Sequence, residues 1–173
     1  MNYINKGKTD ILIFPKFENV EKIQDIRKEY DELYGIIPPH ITLAFPFKKE
    51  ISNEELKERL EELFKNIKLF KISCKGTTIS EDKKIGVYYI FLNIVEGKEI
   101  IKEINKKIYT EILNKPIIEN YEPHITLGTT NNIDEKIELD EEFETIVDSI
   151  VVESIGENEE SIIEFETSIK PHN

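Results

Sequence analysis

The pentapeptide PHITL stands at Pro39–Leu43 and again, identically, at Pro123–Leu127. Each copy closes a unit of the same order: apolar strand, amphipathic helix, short proline-containing connection, alternating strand. The first unit opens with ILIF at Ile11–Phe14, a buried strand stopped by Pro15. A helix is predicted next, because Val20, Ile23, Ile26, Tyr30, Leu33 and Tyr34 recur at three- and four-residue spacing and Gly35 stands where a left-handed cap belongs. Pro38 and Pro39 then force an extended lead-in, and the chain alternates with period two from His40 to Phe45.

The second unit repeats the scheme. GVYYIFLNIV, from Gly86 to Val95, is aromatic and β-branched enough for a central strand. A helix over about Lys98–Leu113 carries the stripe Ile100, Ile101, Ile104, Ile108, Ile112 and Leu113, ended by Asn114 and Pro116, and EPHITLGTT supplies the alternating strand. Between the units, Ser52 with Glu55 reads as a capping box ahead of Leu56, Leu60, Leu63, Phe64 and Ile67. KLFKISCKG reads as a strand on a lysine-rich edge. Two further runs, Ile146–Ile155 and Ser161–Ile169, are joined by GENEE and read as a hairpin. No linker rich in Gly, Ser or Pro divides the chain, so residues 1–173 are expected to form one α+β domain of two lobes, a duplication packed about a pseudo-twofold axis.

Strand geometry turns that symmetry into chemistry. Residues i and i+2 share a face, so His40 and Thr42 point one way and Ile41 and Leu43 the other, and likewise His124 and Thr126 against Ile125 and Leu127. Two such strands meeting at the axis line a cleft with two imidazoles and two hydroxyls. One imidazole can accept a proton while the other donates one, which suits in-line displacement at phosphorus, with hydroxyls holding the non-bridging oxygens. That chemistry requires no metal and no cofactor. A single Pro-His-Ile-Thr-Leu would read as a favourable strand start; two copies at equivalent places favour catalysis or ligand binding. A pair of histidines with Glu122 nearby is a poor metal set, since neither H-x-T contains a carboxylate.

The two segments resemble the paired H-x-T motifs of the 2H phosphoesterase superfamily, which includes bacterial 2'-5' RNA ligases and RNA 2',3'-cyclic phosphodiesterases. The likeness extends from about Ile11 to Thr130 in the order of elements. It implies a bilobal fold with a concave antiparallel sheet in each lobe, helices outside and the active site in the central groove. It also implies His40 as proton donor, His124 as acceptor, and Thr42 and Thr126 as phosphate ligands. The residues alone leave open which imidazole is the acid. The expected activity is the opening of a 2',3'-cyclic phosphate on RNA or a nucleotide, or of a related small cyclic phosphodiester, with 2'-5' ligation as the reverse; the alternative is a module that binds a nucleotide or RNA end without turnover.

Composition narrows the partners. At 39% hydrophobic and 34% charged, 173 residues can bury a real core. No apolar run is long enough to span a bilayer, and MNYINKGKTDILIF lacks the features of a secretory signal, so a cytoplasmic protein that does not associate with membranes, monomeric in solution, is expected. The lone Cys74 rules out an internal disulfide and reads as a packed residue. The net charge of −12 argues against non-specific polyanion binding. It is confined, however, to Asp134–Glu166, where fourteen acids face only Lys136, while residues 1–133 are balanced at twenty-one of each sign. Lys65–Lys84 offers a local basic edge, and both charge runs read as solvated surface. The only arginines, Arg27 and Arg59, fall on predicted helices away from the motifs, which argues against long RNA. Lys48 and Lys49 read as a solvated strand end, and His172 as a frayed tail residue. Phe14, Phe45, Tyr88, Tyr89 and Tyr121 could stack on a base but read first as core.

Overall fold

The computed structural model describes residues 3–170; His172 lies outside them. Eight strands and three helices follow in the order β1 (Thr9–Ile13), α1 (Val20–Tyr30), β2 (Ile41–Phe47), α2 (Asn53–Phe64), β3 (Phe70–Asp82), β4 (Val87–Glu96), α3 (Lys98–Lys107), β5 (His124–Thr130), β6 (Phe143–Val147), β7 (Ser149–Ile155) and β8 (Ser161–Ser168). They form two antiparallel four-stranded sheets, ordered β2-β1-β7-β8 and β5-β4-β3-β6. The orders superpose element by element, so the fold is α+β with the expected pseudo-twofold duplication. The first sheet is completed by the C-terminal hairpin β7–β8, and is thus built from both ends of the chain.

One apolar cluster runs through both halves. It takes Ile11 and Ile13 of β1, Ile41 and Leu43 of β2, Ile90, Leu92 and Ile94 of β4, Ile125 and Leu127 of β5, and a stripe from each helix. In α2 that stripe is Leu56, Leu60, Leu63 and Phe64, and the Ser52 hydroxyl accepts the Glu55 N–H at 3.1 Å as the capping box requires. Each leucine so buried contributes on the order of 1.5–3 kcal/mol. Cys74 is fully buried in the same cluster, and burial pushes its thiol up to about 12. The helices cross over between halves: α1 packs on β5 and α3 on β2.

Several expectations need correction. Helix α1 stops at Tyr30, because Asp31 turns extended and its Oδ1 accepts the Leu33 N–H. Gly35, at φ +80°, therefore serves the following turn and does not cap the helix. Helix α3 loosens into a π-helical turn at Ile108–Ile112, and Ile100 faces outward. Strand β3 is not an edge: it lies between β4 and β6. The run Ile146–Ile155 is two strands in different sheets, since the chain crosses over at Asp148; apolar alternation is identical on either side of such a crossing and cannot reveal it.

The alternation of the motif strands also breaks, and in the same place twice. In β2 the pairing with β1 jumps from Leu12↔Thr42 to Ile11↔Ala44, leaving Leu43 as an extra residue. In β5 it jumps from Phe91↔Thr126 to Ile90↔Gly128, leaving Leu127. A β-bulge therefore follows each H-x-T, and both members of each bulge are buried. Past the bulge the faces exchange, which is why Phe45, expected inward, is 43% exposed.

Candidate active site

Matched burial sets the two motifs. Pro39, Ile41 and Leu43 are buried and His40 and Thr42 half-buried; Pro123, Ile125 and Leu127 are buried and His124 and Thr126 half-buried. The apolar residues anchor each strand to the core, so the polar ones are held on the opposite face without freedom to turn. Strands β2 and β5 touch, and the Tyr121 hydroxyl donates to the Thr42 carbonyl at 2.7 Å, tying the loop before His124 to the first motif.

Both imidazoles are oriented by the same bond. His40 Nδ1 lies 2.9 Å from the Pro38 carbonyl and His124 Nδ1 lies 2.8 Å from the Glu122 carbonyl. A carbonyl oxygen only accepts, so each Nδ1 carries the hydrogen and each neutral ring keeps Nε2 as its free acceptor. Burial holds both imidazoles below the ordinary histidine value, partly offset by these bonds. A charge on His40 lowers His124 further. Neither threonine hydroxyl has a hydrogen-bond partner in the described residues, so both are free to donate.

The surroundings of the two rings differ. The Phe91 ring lies 3.7 Å from that of His124, centroid to centroid, and Tyr89 stacks on Phe91 at 5.9 Å. Phe14 meets His40 edge-on at 6.3 Å. Beside His124 opens a cavity of about 750 Å³, within the range of small-ligand sites. Its lining includes Phe45, Thr78, Phe91, Asn93, Lys98 and Tyr121. None of the five aromatics named from sequence is fully buried. Phe91 was missed; the period-two spacing of Tyr89, Phe91 and Asn93 on the central strand is the signal that points to it. Lys48 is exposed and Lys49 bonds to Asn53, while Lys98 and Lys102 hold the Glu122 carboxylate at 3.3 and 2.7 Å. Glu122 is thereby kept below the usual carboxylate range. No three metal-ligating side chains converge among the described residues.

Arg27, placed by the sequence on a predicted helix away from the motifs, is 1% exposed. Its guanidinium bonds Asp31 at 2.7 Å, Gln24 at 3.0 Å and the Ile37 carbonyl at 2.8 Å, clasping the segment that delivers Pro38–His40.

Duplicated halves meeting at two inward histidines and two free hydroxyls define a two-histidine phosphoesterase scaffold. The profile of the 2'-5' RNA ligase superfamily matches residues 15–158, and the chain belongs to that family. It is 32% identical over 135 residues, 74% of each chain, to a Bacillus licheniformis protein named "Putative phosphoesterase". A Geobacillus thermodenitrificans protein of the same name is 32% identical over 127 residues, 70% of this chain and 68% of that one. Among solved structures, TT0787 of Thermus thermophilus superposes with a TM-score of 0.68 at 14% identity, covering 96% of this chain and all of that one. E. coli LigT complexed with ATP gives 0.58 at 14%, covering 95% and 98%. Usb1 of Kluyveromyces marxianus gives 0.57 at 10%, covering 96% and 99%. The curated relatives support phosphoester chemistry, and the structures the fold. No helix among the described residues is long and apolar enough to cross a membrane.

Proposed function

We propose that the protein opens 2',3'-cyclic phosphates on nucleotides or RNA ends, or a related small cyclic phosphodiester, with His40 and His124 as the catalytic pair and no metal. One observation carries the reading: both imidazoles present a free Nε2 from an identical Nδ1–H···O=C support at symmetric positions. With His124 neutral, its Nε2 takes a proton from water as the water oxygen bonds to phosphorus. The ring P–O bond breaks on the far side, and the departing ribose oxygen takes the proton of His40 Nε2. One water is consumed, a phosphomonoester forms, and the two histidines exchange protonation states before resetting through solvent. Thr42 and Thr126 donate to the non-bridging oxygens, whose charge grows in the transition state. A ribose 5'-hydroxyl attacking in place of water, with the same two proton transfers and the 3' oxygen departing, gives a 2'-5' linkage, and the reverse of that step returns the cyclic phosphate. LigT has been crystallised with ATP, 3'-AMP and phosphate, ligands consistent with a phosphate seat in such a groove.

Turnover of the four nucleoside 2',3'-cyclic phosphates in EDTA, against a His40→Ala/His124→Ala variant, tests the proposal. Turnover that disappears in the variant is expected. A folded protein that binds nucleotides tightly and turns over none of the four would instead favour the binding module.

A further inference from the structure

The pseudo-twofold axis relates the two halves of the groove, but not their charge. On β1, Asp10 and Leu12 share a face with Thr42, because Leu12 pairs with Thr42 and the alternate residues Ile11 and Ile13 enter the core. Directly across β1 and β7, Asp10 pairs with Glu153 and Leu12 with Val151, so two carboxyl groups stand side by side on the face that carries His40 and Thr42. They are 7% and 2% exposed. The Ser161 hydroxyl donates to Glu153, and Asp10 Oδ1 has no partner. The corresponding positions beside His124, read from the pairings Phe91↔Thr126 and Ser80↔Tyr89, are Tyr89 and Ser80, which carry no charge.

Two buried carboxyls this close cannot both ionise, so one proton stays between them. Burial and the neighbouring Glu153 push Asp10 up to about 9, which makes Asp10 the proton holder and leaves one negative charge on the pair. Every other charge facing His40 is compensated or shared. Arg27 and Asp31, from α1 and its exit, neutralise each other at 2.7 Å, and between the two rings it is His124 that a charge on His40 lowers. The one carboxylate that raises His124 is Glu122, and Lys98 and Lys102 hold it at 3.3 and 2.7 Å.

We propose that Asp10 and Glu153 form a proton-sharing positioning pair whose single buried charge makes His40, and not His124, the imidazole that carries the proton. The inference rests on the two-histidine reading above but concerns only which ring is charged. The pair acts through His40 and touches no reacting atom. It breaks the symmetry of a duplicated site, which would otherwise leave the two rings equivalent and the direction of proton flow unset.

The test is histidine titration by NMR on the full chain, which needs no turnover and so stands whether or not any cyclic phosphate is a substrate. In Asp10→Asn/Glu153→Gln the midpoint of His40 is expected to fall by about half a pH unit or more with His124 unmoved. In Asp10→Asn alone, where Glu153 keeps its charge, the His40 midpoint stays in place. Equal shifts of both histidines, or none in the double variant, would overturn the proposal. Should the double variant misfold, carboxyl carbon shifts of the unmodified protein decide: one proton retained on the pair through neutral pH supports it, and two carboxyls titrating near 4 end it.

Discussion

Each imidazole spends its Nδ1–H on a carbonyl two residues back, so the nitrogen left for chemistry is fixed by backbone geometry. Because burial holds both rings below the ordinary histidine value, the singly protonated pair, the only form able to give and take a proton, populates on the acid side of about pH 6.5. As pH rises past that range the acid is lost, and as it falls the base is lost. The pH profile of kcat/KM for a nucleoside 2',3'-cyclic phosphate should therefore be bell-shaped with its maximum below about 6.5. A flat profile between pH 5 and 8, or a maximum above 7.5, would rule out this assignment of the pair. The histidines and threonines were legible because a repeated motif needs no knowledge of the fold. Asp10 and Glu153 were not, since an acid within a strand reads as a solvent-facing residue. Their burial depends on a cross-strand partner from the opposite end of the chain.

At the scale of elements, helix positions were readable and their ends were not. The apolar stripe of α1 continues to Leu33 and Tyr34, but the helix yields at Asp31 to a local turn that Arg27 fastens from inside. Hydropathy could not reveal this, because a fully buried arginine looks like a surface one until its four acceptors are assembled around it. Arg27→Met keeps most of the side chain's volume while taking the guanidinium away from the Asp31 carboxylate and the Ile37 carbonyl. It should cost about 3–5 kcal/mol in urea denaturation, as removal of one member of a buried ion pair does. A loss under about 1 kcal/mol would mean that the clasp contributes little to holding Pro38–His40. The bulges after Thr42 and Thr126 were equally hidden. Alternation read through HITLAF predicts Phe45 inside, and only the register with β1 shows the extra residue that turns it out.

Across the whole molecule the duplication explains more than the repeat of motifs, because each half's helix braces the other half's active strand. Helix α1 presses so closely on β5 that a Cβ at Gly128 would lie 2.3 Å from the Tyr30 backbone, and the equivalent residue after the first motif is the small Ala44. In the reciprocal contact, the buried Asn105 of α3 donates its Nδ2–H to the Leu43 carbonyl at 2.8 Å. Leu43 is the bulged residue, outside the register of β1, so Asn105 satisfies a buried acceptor that the sheet leaves aside. Asn105→Ala removes that donor and should cost about 1–3 kcal/mol of stability by chemical denaturation. The place of the damage is the sharper expectation. Asn105 precedes His124 in the chain, yet its bond ends beside Thr42, so the NMR signals of His40 and Thr42 should move while those of His124 and Thr126 hold. Perturbation confined to the second motif would mean that the halves are braced within themselves, and that the exchange of helices does not stabilise the groove.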